Sequence, residues 1–174
     1  LVFSDISLLK TLDKKQVASG MAEVIKYGLI KDRRLFEYLE SKHANILKLK
    51  QEYLKHIVKS CARIKASVVS HDEREKKGLR TILNFGHTIG HAIEAASRTY
   101  TYNHGESIAL GMLVALEISL KLDLIQESLL KRAELLISRV GLPVKITKVS
   151  TSKILKRHYY DKKFTGNTNK FVLL

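Results

Sequence analysis

The sequence predicts a mainly α-helical domain, with short strand-like segments only at its two ends. Three observations lead there. Apolar residues recur at three- and four-residue spacing through most of the 174 residues. Two capping-box signatures, Asp13 with Gln16 and Asn103 with Glu106, mark helix starts. The run IALGMLVALEISLKL is apolar nearly all round, as a helix buried among other helices must be.

In order along the chain, LVFS at Leu1 to Ser4 reads as the end of a strand. The helix that Asp13 caps has Met21, Val24, Ile25 and Gly28 or Leu29 on its buried side, with Glu23 and Lys26 on an adjoining face. Asp32 caps a short helix through Leu39. A long amphipathic run follows, carrying Ile46, Leu47, Tyr53, Leu54, Ile57, Val58, Cys61, Ile64 and Val68. His43, His56 and His71 fall on or beside its polar positions and read as surface residues. Lys76, Lys77 and Gly78 form a plausible helix C-terminus, with cations at the carbonyl end and glycine just after. The segment to about Ser97 reads as helix and RTYTYN as a polar turn. After it come the buried helix from His104 to Leu122, an amphipathic helix at about Gln126 to Val140 stopped by Gly141 and Pro143, and a short helix at Ser152 to Tyr159. The chain closes on DKKFTGNTNK and a strand-like FVLL. With no repeat, low-complexity tract or linker, residues 1–174 are expected to form one helical unit. The first residue is Leu rather than Met, so a fragment of a longer polypeptide is expected.

Apolar content of 45% with 28% charged residues fits a folded globular chain and argues against disorder. The formal charge of +14 invites a nucleic-acid reading. The lysines, however, are spread over nearly every helix, without an aromatic-interleaved basic patch or a groove-reading motif. An anionic small substrate and ordinary solvated lysine faces explain the charge better, so no nucleic-acid partner is expected. A basic helical interaction module would account for the charge and the buried helices but not for the polar cluster described next. The single cysteine excludes an internal disulfide and suits the cytoplasm; no apolar run reaches membrane-spanning length.

The chemistry concentrates between Leu79 and Glu106. His87 and His91, four residues apart, project from one face of a helix, and His104 opens the next helix. Imidazoles with a carboxylate suit a borderline cation such as zinc, and three protein ligands leave a position open for catalysis. A lone pair of histidines at this spacing is more often structural. The zinc-protease pattern would need Glu at Thr88, so metal-assisted peptide hydrolysis is disfavoured. Arg80, Asn84, His87, His91 and Glu94 follow by four, three, four and three residues, a single polar stripe opposite Ile82, Phe85 and Ile89. A fixed cation, an amide and imidazoles suit a polyoxygenated anion. Gly86 and Gly90 each cost a helix about 1 kcal/mol relative to alanine, which makes sense where something must approach the backbone. Glu23 and Lys26 either join this site or simply form an ion pair.

Four segments, GMAEVIKYGLI, DEREKKGLRTILNFGHTIGHAIE, NHGESIALGM and DKKFTGNTNKFVLL, occur in that order. Together they resemble 3-dehydroquinate synthase, over essentially the whole chain, and correspond to that family's C-terminal helical domain. Other sugar-phosphate cyclases, such as 2-deoxy-scyllo-inosose synthase, share much of the pattern, and the metal-dependent alcohol and glycerol dehydrogenases share the two-domain architecture more distantly. The resemblance implies an N-terminal NAD-binding domain, a divalent metal (zinc, or cobalt) between domains, and a homodimer. It implies Glu23, His87 and His104 as metal ligands, with His91 contacting substrate instead, contrary to what the i, i+4 spacing suggests. Lys26, Lys65, Arg80, Asn84 and a lysine of the DKK segment, Lys162, match substrate-holding positions; Leu8, Leu9, Lys10 and Thr11 match a stretch that touches NAD. Glu94 and Glu106 are left as supporting or capping groups. The implied reaction takes the seven-carbon sugar-acid phosphate DAHP to 3-dehydroquinate through oxidation by NAD, loss of phosphate, reduction and an intramolecular aldol closure. The family's usual proline after Leu12 is Asp13 here, which changes a cap rather than the chemistry.

Overall fold

A computed structural model describes residues 3–73, 78–97, 101–159 and 171–174. It contains seven α-helices among the described residues: α1 (Lys14–Ile30), α2 (Arg33–Leu47), α3 (Gln51–His71), α4 (His87–Ala96), α5 (His104–Lys121), α6 (Glu127–Arg139) and α7 (Thr151–Tyr159). Two 3-10 helices, Ile6–Thr11 and Leu79–Asn84, precede α1 and α4. Both expected capping boxes form: the Asp13 carboxylate accepts the Gln16 N–H at 2.8 Å, and the Asn103 amide oxygen accepts the Glu106 N–H at 2.8 Å.

Helix α5 is the axis of the molecule. Ile108, Met112 and Leu116 are fully buried on it, as are Ile25 on α1, Leu35 and Leu39 on α2 and Leu136 on α6, all in one core. Burying each such side chain contributes about 1.5–3 kcal/mol, so the helix with most buried residues is the one the others dock on. A second, smaller cluster joins Ala92 and Ile93 of α4, Tyr102, Leu110 of α5 and Ile154 of α7. There the Tyr102 hydroxyl accepts the N–H groups of Thr147 and Lys148, fixing the segment before α7.

Four expectations are corrected. The break after the second helix falls at residues 48–50 rather than at Leu39. It is made by Leu49 in a left-handed conformation (φ 53°), whose N–H donates to the Ile46 carbonyl at 2.8 Å. Helix α3 ends at His71 with Asp72 as its cap; Lys76 and Lys77 lie outside the described residues, and Gly78 (φ 71°) opens the second 3-10 helix instead. No strand occurs among the described residues. Phe3 and Ser4 are irregular, and Leu1 and Val2 lie outside them. The FVLL tail has no neighbouring strand: the Leu174 N–H is taken by the Ser119 hydroxyl of α5, and Val172 to Leu174 pack on the helical core.

The fourth correction reshapes the site. Arg80 through Glu94 is not one helix. Phe85 leaves the helical conformation (φ −53°, ψ 127°) and is fully buried, and Gly86 is left-handed (φ 75°), so the chain turns between the 3-10 helix and α4. Arg80 and Asn84 therefore lie on a different element from His87, His91 and Glu94. Gly86 and Gly90 do serve a close approach, but the partner is α5. A β-carbon on Gly86 would stand 2.8 Å from the Met112 nitrogen, and one on Gly90 would stand 2.7 Å from Ile108 Cδ1. From the other side, a β-carbon on Gly111 would overlap the Gly86 carbonyl and stand 2.6 Å from the Gly90 nitrogen. Three glycines thus let the two histidine-bearing helices lie backbone to backbone.

Candidate metal and substrate site

Helix α1 brings Glu23, α4 brings His87, and the first turn of α5 brings His104. One donor atom from each lies within 4.8 Å of the other two. Ring centroids of His87 and His104 are 5.9 Å apart. A second set, His91, Glu94 and His104, meets the same distance limit and shares His104.

The imidazole of His87 is aimed by its backbone. Its Nδ1 lies 3.1 Å from the Phe85 carbonyl, which can only accept, so Nδ1 carries the hydrogen and Nε2 holds the lone pair. That Nε2 faces Glu23 Oε1 at 3.4 Å. Burial, followed by the charge of Lys26, pushes the His87 pKa below its ordinary value, which favours the neutral, ligand form. Glu23 Oε1 is buried without a hydrogen-bond partner. Two electron-rich atoms therefore face each other in a buried place, an arrangement that a cation relieves. Bonds of about 2.0–2.1 Å to a tetrahedral zinc put neighbouring ligands about 3.3 Å apart, close to the gap found here. The donor set present fits a divalent metal on this observation.

Glu23 Oε2 is engaged separately, accepting from the Lys26 ammonium at 2.6 Å. Lys26 is 3% exposed, and a buried ammonium requires such a partner. The two readings of this pair thus coexist: an ion pair, and a carboxylate whose other oxygen looks into the site.

His91 lies half-buried one turn after His87, ring centroids 5.2 Å apart, on the same side of α4. Arg80 and Asn84 are half-buried on the 3-10 helix that leads to α4. Lys65 is exposed on α3 and, among the described residues, pairs with none of these groups. Leu8 to Thr11 form most of the first 3-10 helix, with Leu8, Lys10 and Thr11 exposed and Leu9 turned partly inward. Lys162 lies outside the described residues. Glu106 is taken up by its cap, Oε2 accepting the Asn103 N–H at 2.7 Å.

Sequence reasoning missed Ser19. Its hydroxyl accepts the Gly105 N–H at 3.1 Å, tying the residue after His104 to the helix that carries Glu23. Ser19 lies one turn before Glu23, so it shares that face. The available signal was Gly105: a β-carbon there would collide with the Ser19 backbone, marking a helix contact at the start of α5.

Among the described residues, two histidines and a carboxylate presented from three helices, beside a buried lysine, make a donor set of the kind that a metal-binding helical domain would need. The sequence profile of the 3-dehydroquinate synthase C-terminal domain matches residues 20–164, and the chain belongs to that family. It is 47% identical over 173 residues to the 3-dehydroquinate synthase of Thermoanaerobacter sp. (strain X514), covering 99% of this chain and 48% of that protein. It is 42% identical over 174 residues to that of Prochlorococcus marinus (strain AS9601), with the same coverage of each. The chain thus spans about half the length of the curated relatives it matches. A crystal structure of 2-deoxy-scyllo-inosose synthase complexed with carbaglucose-6-phosphate, NAD+ and Co2+ superposes with a TM-score of 0.82 at 32% identity, over 99% of this chain and 48% of that one. The 2-epi-5-epi-valiolone synthase of Streptomyces hygroscopicus subsp. jinggangensis 5008, solved with NAD+ and Zn2+, shares the fold, with a TM-score of 0.81 at 23% identity over 89% and 43% of the two chains.

Proposed function

We propose that this chain is the metal- and substrate-binding half of a 3-dehydroquinate synthase, a carbon–oxygen lyase that converts DAHP to 3-dehydroquinate and phosphate. The observation that carries the reading is the convergence of Glu23, His87 and His104 around a buried carboxylate oxygen that has no hydrogen-bond partner. Membership of the family and the names of its curated relatives support the choice of reaction. In the full-length protein an upstream NAD-binding domain faces this half, and the enzyme is a cytoplasmic homodimer. Among the described residues, no helix is long and apolar enough to cross a membrane.

Glu23, His87 and His104 would hold the metal, zinc or cobalt, which when bound would supply Lewis-acid polarisation of a substrate oxygen. Leu8, Leu9, Lys10 and Thr11 would help hold NAD, which when bound would supply the reversible oxidation. The chain's own groups do the rest. Lys26 fixes a positive charge beside the reacting carbon framework and, by its pairing with Glu23, holds that carboxylate in place. Arg80 and Asn84 bind phosphate, carboxylate and hydroxyl oxygens, with Lys65 and Lys162 contributed from α3 and the DKK segment. Their part is orientation and charge stabilisation rather than covalent catalysis. His91 stays outside the metal shell and moves a proton to or from the substrate, a role that imidazole fills more often than any other side chain.

The test is phosphate release from DAHP by the full-length protein with NAD, before and after chelation. Release that needs metal and yields dehydroquinate is expected. His87→Ala should then lose the metal, by more than the roughly 10–100-fold that loss of an outer-shell partner costs. His91→Ala should keep the metal and lose turnover. No release from a folded, metal-loaded enzyme would move the assignment to a cyclase of another sugar phosphate; equal metal loss in both variants would make His87 and His91 a two-imidazole chelate.

A further inference from the structure

We infer that Glu94 is a positioning residue for the metal centre: its carboxylate holds His104 by Nδ1 so that Nε2 is presented to the ion. The inference rests on the proposed metal centre and adds a group to it.

A histidine ligand needs one nitrogen occupied by a hydrogen-bond acceptor so that the other faces the metal as a lone pair. For His87 that acceptor is the Phe85 carbonyl, two residues back in its own chain. His104 has no equivalent. It is the first residue of α5, and its side chain is 48% exposed, so an unsupported ring would have rotamer freedom to lose on binding. What restrains it is Glu94, ten residues earlier on α4: Oε2 lies 3.2 Å from His104 Nδ1. A carboxylate accepts from that nitrogen, so Nδ1 carries the hydrogen and Nε2 is left free of one in the neutral ring. The two histidines of the Glu23 set therefore carry the same tautomer, one fixed by a carbonyl and one by a carboxylate. The contact also bridges α4 and α5 just where their glycines let them approach.

Glu94 also falls in the second donor set, with His91 and His104. That set does not make a competing ion site of equal standing. Both Glu94 and His104 are more than 40% exposed there, and one of the two Glu94 oxygens, Oε2, is already engaged by Nδ1. The Glu23 set, by contrast, holds a buried oxygen with no partner. Nor does Glu106 substitute for Glu94, being engaged by its cap.

The experiment measures zinc and cobalt affinity of the full-length protein by competition with a chromophoric chelator, for the wild type and for Glu94→Ala, Glu94→Gln and His87→Ala. Glu94→Ala is expected to weaken binding about 10–100-fold. Glu94→Gln, whose amide oxygen accepts the same hydrogen bond, is expected to recover most of that loss. At saturation the cobalt visible spectrum of both should match the wild type, because no ligand has changed. Wild-type affinity in Glu94→Ala, with His87→Ala impaired, overturns the inference alone. An altered cobalt spectrum in saturated Glu94→Ala also overturns it, by making Glu94 a direct ligand. Wild-type affinity in both Glu94→Ala and His87→Ala overturns the metal centre, and this inference with it.

Discussion

The seam between α4 and α5 and the cleft between α1 and α3 are both helix contacts, yet they are packed in opposite ways. At the seam, glycines 86, 90 and 111 bring two backbones together so closely that no room is left for a methyl group at any of the three. Between α1 and α3, Leu9, Val17, Met21, Ile57, Val58 and Cys61 help line an almost wholly apolar cavity of about 270 Å³. Gly20, on its edge, has nothing within 4 Å of a would-be β-carbon. The seam sets where His87, His91 and His104 stand relative to one another. Ligand atoms must be placed to within a few tenths of an ångström, and helix backbones in direct contact have little freedom to slide. The cleft sets no such geometry. Tight packing is found where donors must converge, and looser packing where only apolar surface must be covered.

The hardest blow to this contrast comes from Gly111→Ala. The added methyl meets peptide groups rather than a flexible side chain, so overpacking should cost about 1–3 kcal/mol or more in denaturant unfolding. Metal affinity should fall with it as His87 and His104 separate. A variant with unchanged stability and affinity would show that the seam is not what places the ligands.

Cys61 gives a chemical measure of the cleft. Burial, helped by the charge of Glu23, pushes its thiol up to about 12 from an ordinary value near 9. Alkylation at pH 8.5 should therefore run roughly a thousandfold slower in the folded protein than in urea, since the thiolate is the reactive form. The folded state keeps this proton while the unfolded state loses it, so the contribution is present below about pH 9 and stability declines as pH rises from there toward 12. Fast alkylation under native conditions would mean that the cleft opens readily to water.

The mildest change is Gly20→Ala. It sits within α1 and projects into open space, so the loss of backbone freedom in the unfolded chain should raise stability by about 0.5–1 kcal/mol. A destabilised Gly20→Ala would place an unseen packing demand on the cleft and erase the contrast with Gly111.

Much of this was legible in the sequence, for reasons that are local. Capping boxes satisfy backbone donors within four residues, so Asp13 with Gln16 and Asn103 with Glu106 announced α1 and α5 correctly. Apolar residues all round α5 announced its burial. What failed was non-local. The spacing of Arg80, Asn84 and His87 is perfectly helical, yet the chain turns at Phe85 and Gly86 because Phe85 enters the core and Gly86 meets Met112. Leu49 takes a left-handed conformation without being glycine, so nothing marked the break between α2 and α3. The glycines of the central segment were correctly read as places of close approach. Their partner, a helix 20 or so residues downstream, could be known only from the packing. The resemblance, not the spacing, singled out Glu23 as the carboxylate, because no periodicity links position 23 to position 87.

The link from Ser19 to Gly105 joins residues 86 apart in the chain. Its partners lie one turn before Glu23 and next to His104, so the proposed ligand set is closed by a contact of long sequence separation. A ribosome adding about 5–20 residues per second needs roughly 4–16 s to go from residue 23 to residue 104. Throughout that interval Glu23 and Lys26 exist without the histidine that the proposed site adds last. Among the described residues, Lys26, three residues on in the same helix, is the one partner of that carboxylate whose synthesis does not have to be waited for.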